Sequence, residues 1–422
     1  MRLFDGLRYG FMGFPLAFVA LPLYVVLPNY YAKNFAIPLA SLGVLLLVVR
    51  TFDAVVDPLL GRWADRLFRR TRAQIFGQIA ALAAGLVVGF VALFFPPAFV
   101  LQSVETFFTP TLLLWAGGCL VVCYVSFSAL SIAHQSWGAL LGGDAAKRSR
   151  VVAWREGLGL LGVVLASVTP LLFGLTVTSF LLVGFLALGV GAWAVAPRPA
   201  IAELASSQEG GSLWAPLLQP AFRQLLLIFM VNGIASAVPA TLILFFVQDR
   251  LQAPAFMESW FLGVYFVAAA VALPVWTSCI AQFGLEKSWL IGMVLAVGVF
   301  VFAALLDAGD ITEFLIVCAL SGVAMAVDLV APAALLAGLL QTGKKDGPDA
   351  GTYFGWWNLA TKFNLALAAG ISLPLLNLLG YAPGMRSPEA LQSLTWTYCL
   401  LPCGLKVIAA LLLLFHTLRK PL

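Results

Sequence analysis

Two aspartates four residues apart, Asp53 and Asp57, stand inside an apolar run long enough to cross a bilayer, and Arg50 precedes them by three positions. That spacing puts both carboxylates on one helical face, with Arg50 one turn before them. Charges at hydrocarbon depth are expensive, and they face a bundle interior or a water-filled path where ions, protons or substrate are handled. A structural knot is the alternative, Arg50 neutralising one Asp. One Arg cannot neutralise two carboxylates, so the second Asp still needs a partner. Lys362 lies about three turns into a later apolar run, too deep to reach the near surface comfortably, and so points inward toward an acidic partner. Asp53, Asp57, Lys362 and Arg50 are therefore the candidate cation-binding and coupling residues.

A second set of polar residues marks a candidate substrate path. The run from Ser126 to Trp137 is unusually polar for a lipid-facing helix, and it supplies His134, Gln135 and Trp137. The ordinary pKa of His134 suits proton transfer, although a lone His near a helix end also serves as a hydrogen-bonded packing residue. Arg155 is a counter-ion for the Asp pair or for a substrate, or else forms an interfacial pair with the adjacent Glu156. Asp328 sits in an apolar run and is followed by the helix-kinking Pro332, while Trp357 and Asn358 lie one turn before Lys362. Asn232 and Ser236, in another apolar run, are not diagnostic. The six cysteines, two pairs of them at helical spacing (Cys119 with Cys123, Cys399 with Cys403), read better as small buried hydrophobes than as soft-metal ligands. His134 and His416 are far apart, with no nucleophile, base or metal cluster beside either. No metal, no cofactor and no enzymatic activity are expected.

The elements that must position these residues follow from composition. The 422 residues are 62% hydrophobic and 10% charged, with a mean hydropathy of +1.00. A soluble domain carries about 25% charged residues, so this is a polytopic membrane protein. Apolar runs of about 20 residues suit a hydrocarbon core of roughly 30 Å. They fall at approximately 7–31, 38–61, 73–95, 109–132, 151–172, 177–196, 223–247, 258–280, 288–306, 313–340, 352–378 and 393–415. The first run is too long for a signal-peptide core and lacks a cleavage site, so it is expected to be a retained helix. Pro15, Pro22 and Pro28 should kink it, as befits a cavity-lining helix or an ordinary bent one.

Placing the amino terminus in the cytoplasm puts Arg2, Arg8, Arg62, Arg66, Arg69, Arg70, Arg72, Lys147, Arg148, Arg150, Arg198, Arg223, Lys287, Lys344, Lys345, Arg419 and Lys420 inside. Only Lys33, Arg250 and Arg386 are then outside. Arg50, Arg155, Lys362 and Lys406 fall within spans. The net charge of +5 is thus a topology signal, and no nucleic-acid partner is implied. The longest internal polar segment splits the chain six plus six: a bundle over 1–196, a cytoplasmic loop over 197–222 and a bundle over 223–422. Inside-facing termini of both halves fit two parallel six-helix bundles that open alternately to each side.

Beyond the second span, Gly61, Asp65, Arg66, Arg69 and Arg70 come in the order of the signature cytoplasmic loop of the major facilitator superfamily. There Asp65 can cap or pair at a helix end while the arginines bind carboxylates and helix carboxyl termini, a conformational latch. The run Arg50 to Gly61, the intramembrane Asp328 with Pro332, and the Gly351-Thr352-Tyr353-Phe354-Gly355 segment leading to Lys362 resemble the glycoside, pentoside and hexuronide cation symporters, the melibiose permease-like family of that superfamily. The resemblance implies that Asp53 and Asp57 are the paired cation-site carboxylates and Lys362 the lysine beside them. It also implies cation-coupled symport of a small organic solute by alternating access, from a bacterial inner membrane.

Two positions depart from that family. Gly13 to Val19 contains no acid where the family has its sugar-binding Asp, and the fourth-helix Asp is Ala133 here. A sugar site would lose its two strongest acceptors, because carboxylates supply charge-assisted bonds. A sugar or glycoside is one expected solute, and a non-sugar amphipathic or lipid-like solute the other. The coupling ion is H+ or Na+. The residues favour a proton, since sodium wants several oxygen ligands and Ala133 removes one, whereas a proton needs a single carboxylate. The expected partners are the solute, a monovalent cation and membrane lipid, with the chain a monomer.

Overall fold

The computed structural model describes residues 2–35, 37, 39–101, 110–199, 212–254, 256–342 and 349–418. Among them every regular element is helical, with no strand. A backbone in hydrocarbon must satisfy its own N–H and C=O groups, and an apolar run of this length does so only as a helix. Eleven helical stretches among the described residues are long and apolar enough to cross a membrane. A further helix, Leu39–Phe68, has 30 residues and would span roughly 45 Å at 1.5 Å per residue. It falls short only in apolarity, because Arg50, Asp53 and Asp57 interrupt it. Eleven and one make the expected twelve.

The observed ends differ from the apolar runs in a consistent way. The second helix continues to Phe68, the fourth covers Pro110–Leu140 and the tenth Ile311–Thr342, each reaching beyond its apolar run. Hydropathy marks where hydrocarbon ends, whereas hydrogen bonding carries a helix on into water. The first helix is broken rather than merely bent. It runs as Leu3–Gly10, Gly13–Leu21, a π-helical turn Pro22–Val26 and Leu27–Phe35. The wider turn begins at Pro22, whose missing N–H cannot serve an ordinary helical turn. The fifth and sixth spans form one stretch, Ala145–Ala194, interrupted only at Gly174, where φ is 76° and ψ 171°. Glycine has no Cβ to forbid that backbone.

The chain divides into two compact units. The first contains Met1–Gly142, Trp154–Ala215 and Leu340–Leu359, and the second Gly143–Ala153, Pro216–Leu339 and Ala360–Leu422. One of the boundaries lies between Ala215 and Pro216, and the short segments Gly143–Ala153 and Leu340–Leu359 each group with the unit other than their neighbours'. Residues 200–211 of the expected central loop, together with Lys344, Lys345, Arg419 and Lys420, lie outside the described residues.

In the first unit the fourth helix packs against the second and the third, Arg72–Phe94. Tyr30 and Tyr31 donate to the carbonyls of Phe94 and Leu93, tying the end of the first helix to the end of the third. In the second unit the twelfth helix packs against the seventh, Pro220–Phe245, and the ninth, Leu285–Ala303. Its core includes Phe246, Phe261, Phe314 and Tyr398, with Phe246 and Tyr398 stacked at 4.2 Å and 15°.

Candidate functional site

The paired carboxylates are withdrawn from solvent: Asp53 is 3% exposed and Asp57 0%. Ser128 Oγ of the fourth helix donates to Asp53 Oδ1 at 2.8 Å. Spacing alone puts the two carboxylates on one face; packing of the fourth helix against the second turns that face inward. Ser128 was within the polar run noticed in the sequence, but nothing local pointed it at Asp53. Arg50 lies on the same helix with its guanidinium over the Tyr24 ring, 4.9 Å from the centroid. Lys362 is half-buried on the eleventh helix, Ala350–Leu378, seven residues beyond Gly355.

The amino-terminal part of that eleventh helix belongs to the first unit and packs on the second helix through glycines. A Cβ on Gly61 would stand 2.2 Å from the Gly351 carbonyl oxygen, and one on Gly355 would stand 2.6 Å from that of Asp57. Only hydrogen fits at either place. The close approach brings Asp65, one turn beyond the span, onto the first amides of the eleventh helix, which have no partner within that helix. Its Oδ1 accepts from Gly351 N at 2.5 Å, and its Oδ2 from Thr352 N at 2.8 Å and Thr352 Oγ1 at 2.7 Å. A carboxylate at a helix amino terminus meets both unsatisfied N–H groups and the positive end of the dipole. Burial nevertheless pushes the Asp65 carboxyl up to about 7, with Asp349 adding to the rise and the Thr352 and Gly351 donors opposing it. Arg69 pairs with Asp349 at 3.8 Å, while Arg66 and Arg70 are exposed.

Residues of the expected substrate path are placed as follows. His134 is buried; its Nε2 lies 2.8 Å from the Tyr9 carbonyl oxygen, and Tyr9 Oη donates in return to the His134 carbonyl at 2.9 Å. This reciprocal pair joins the first helix to the fourth. Trp137 donates to the Pro197 carbonyl at 3.0 Å and packs edge-on against Phe68, Phe76 and Trp193. Arg155 forks onto Glu156 Oε1, from Nε at 2.9 Å and Nη2 at 2.5 Å. Gln135 Nε2 reaches Asn358 Oδ1 at 3.4 Å. Ser128 and Gln135, two turns apart on the fourth helix, thus meet Asp53 and Asn358 respectively. Trp357 is buried beside that position.

In the second unit Asp328 is held by residues distant in sequence. Lys406 Nζ donates to Asp328 Oδ2 at 2.7 Å and to Asn232 Oδ1 at 2.9 Å, and Trp289 Nε1 donates to Asp328 Oδ1 at 2.8 Å. Four helices converge there. A buried charge demands its opposite, and Lys406 was visible as a basic residue within a span. That it serves Asp328 was not legible, since 78 residues separate the two.

Acidic and basic side chains are thus buried among membrane helices in each unit, a construction that suits a membrane transporter. The family comparison is specific: the chain belongs to the MFS/sugar transport protein family, whose model matches residues 8–420. A comparison with curated proteins returned no match. Solved structures share the fold. A bacterial homologue of the iron transporter ferroportin, in an outward-facing state, superposes with a TM-score of 0.74 at 16% identity, covering 99% of this chain and 100% of that one. The E. coli fucose:proton symporter FucP gives 0.69 at 16% identity, covering 98% of each chain. The human organic anion transporter MFSD10 gives 0.66 at 15% identity, covering 98% of this chain and 100% of that one. At such identities the likeness is one of fold.

Proposed function

We propose that the protein is a secondary active transporter that couples a monovalent cation, a proton before sodium, to symport of a small organic solute by alternating access. The observation that carries this reading is the buried Asp53 and Asp57 pair, set on one helical face with the Ser128 hydroxyl on Asp53. Two carboxylates so placed hold a shared proton readily, because bringing both to the ionised state in a low dielectric is costly. Lys362 is the proposed counter-charge, its approach and withdrawal deciding when the proton binds and leaves. The Asp65 cap on the eleventh helix serves as the latch of one conformation. A fucose:proton symporter among the structural neighbours supports the choice of proton. On this reading the chain sits as a monomer in a bacterial cytoplasmic membrane, both termini inside.

The test is uptake into proteoliposomes of a radiolabelled panel of monosaccharides, glycosides and organic acids under an imposed proton gradient. Asp53→Asn and Asp57→Asn should each abolish accumulation while leaving downhill exchange partly intact. Accumulation that requires sodium at fixed pH and persists without a proton gradient would overturn the proton and restore sodium. An amphipathic solute is the second reading, favoured by the loss of family acids at Ala133 and over Gly13 to Val19.

A further inference from the structure

The Asp328 and Lys406 pair opens onto a cavity of about 160 Å³ that lies wholly within the second unit. Its walls are mostly apolar and aromatic, with Tyr265, Phe266, Phe300, Phe314 and Tyr398 among them. An enclosed apolar space of about 150 Å³ accepts a benzene ring in a protein interior. At one side of this ring-sized space stand Asp328 and Lys406, the lysine residue only 6% exposed. Ser321 also lines the cavity, and its Oγ is buried with no hydrogen-bond partner among the described residues. A buried hydroxyl left in that condition carries an uncompensated desolvation cost. An apolar ring-sized body, a fixed cation at its edge and an unsatisfied hydroxyl beside it together describe a receptor for an aromatic or comparably compact organic anion.

We infer that this cavity is a binding site for a small apolar carboxylate, which takes Asp328's place on the Lys406 ammonium as Asp328 takes up one proton. The exchange keeps charge in balance. Before binding, one ammonium faces one carboxylate. Afterwards the ammonium faces the ligand's carboxylate, and Asp328 is a neutral acid that still accepts from Trp289. Adding the anion without the proton would leave a net negative charge in a low-dielectric interior, which is the costly case. Lys406 keeps Asn232 throughout, so its position does not depend on which carboxylate it holds. The other titratable groups on this cavity are the phenols of Tyr265 and Tyr398 and the thiols of Cys318 and Cys403, whose ordinary pKa values lie above 8.

This inference rests on the transporter reading and names a substrate class for it, yet it is tested by binding alone. Benzoate is the probe and benzyl alcohol its neutral counterpart, both titrated into the purified protein in nanodiscs between pH 6 and 8. Binding is followed by calorimetry, and proton uptake by an indicator dye in weak buffer. Benzoate should bind with uptake of one proton, and its affinity should fall about tenfold per pH unit, as one linked proton requires. Asp328→Asn should bind benzoate with no proton uptake and no pH dependence. Lys406→Gln should weaken binding about tenfold or more, as loss of a charge-assisted bond does, and Lys406→Arg should restore part of it. The double variant D328N/K406Q leaves no unpaired charge to threaten folding and should likewise bind benzoate more weakly, by about tenfold or more. Benzyl alcohol binding as well as benzoate, or benzoate binding to the wild type with no proton uptake, overturns the proposal. Benzoate binding is read with no gradient and no turnover, so that failure of the coupling reading, seen in uptake, and failure of this one, seen in calorimetry and proton uptake, remain distinct.

Discussion

The Ser128 hydroxyl is the smallest feature that bears on how the carboxylate pair works. It donates to Asp53 at 2.8 Å in a place from which solvent is excluded, and a hydrogen bond to a charged group contributes about 1.5–3 kcal/mol. Ser128→Ala should therefore reduce gradient-driven uptake at least several-fold, while Ser128→Thr, which keeps the hydroxyl, retains most of it; equal uptake by all three forms would remove Ser128 from the site. The contrast between Asp53 and Ser128 shows what could be read in advance. Aspartates inside an apolar run are conspicuous, because each violates the composition around it. A serine does not, since Ser is common in membrane helices and bonds most often to its own backbone, as Ser136 does to the Ile132 carbonyl. Lys406 falls between these cases. Its depth was evident, its partner was not, because pairing across 78 residues is a property of packing and not of spacing.

Among the elements, the second and eleventh helices form the most informative junction. Gly61 and Gly351 permit backbone contact, and the contact delivers Asp65 to the amides of Gly351 and Thr352. The order Gly61, Asp65, Arg66, Arg69, Arg70 suggested a cap and an arginine cluster, but could not say which helix end receives the Asp. The structure gives that end as the start of the eleventh helix, and of the three arginines it engages Arg69 with Asp349. A pH dependence follows. With the Asp65 carboxyl raised from 3.8 to about 7 by burial, the capped state holds a proton more tightly than the uncapped state, where the side chain is in water. Stability falls with rising pH wherever the folded state binds more protons. The contribution of Asp65 is thus fully present below about pH 4 and is lost as pH rises through about 7. Asp349, paired with Arg69, is the charge facing it. Thermal unfolding of wild type and Asp65→Asn from pH 5 to 8 should show wild-type stability falling relative to the variant as pH rises through about 7; wild-type stability that rises relative to the variant would contradict the assignment.

Across the whole molecule, helix number and membrane character were legible because one physical demand governs them: every residue in hydrocarbon must be apolar or partnered, and every backbone group bonded within its helix. The breaks were legible only in part. Prolines signalled the interruption of the first helix but not its π-helical turn, whereas the turn at Gly174 falls in the gap between the apolar runs 151–172 and 177–196. The exchange of Gly143–Ala153 and Leu340–Leu359 between units has no local signature at all. Orientation is a claim of the same scale, resting on the summed placement of Lys and Arg. Asp249, which accepts from Tyr381 Oη at 2.5 Å and from Gly384 N at 2.9 Å, fixes the segment before the twelfth helix, so that exposed Arg386 has a defined side. The charge count expects exposed Arg70 in the cytoplasm and Arg386 outside. The native cysteines are all free, with Cys123, Cys318, Cys399 and Cys403 buried and Cys119 and Cys279 partly so, which gives low background for labelling. Arg386→Cys should react with a membrane-impermeant maleimide in intact cells, and Arg70→Cys only after the cytoplasmic face is opened. Each substitution alters one charge among many, so neither should itself invert the chain. Labelling of position 70 in sealed cells with position 386 protected would reverse the orientation, and with it the side on which Asp65 latches and the direction from which the carboxylate pair meets its proton.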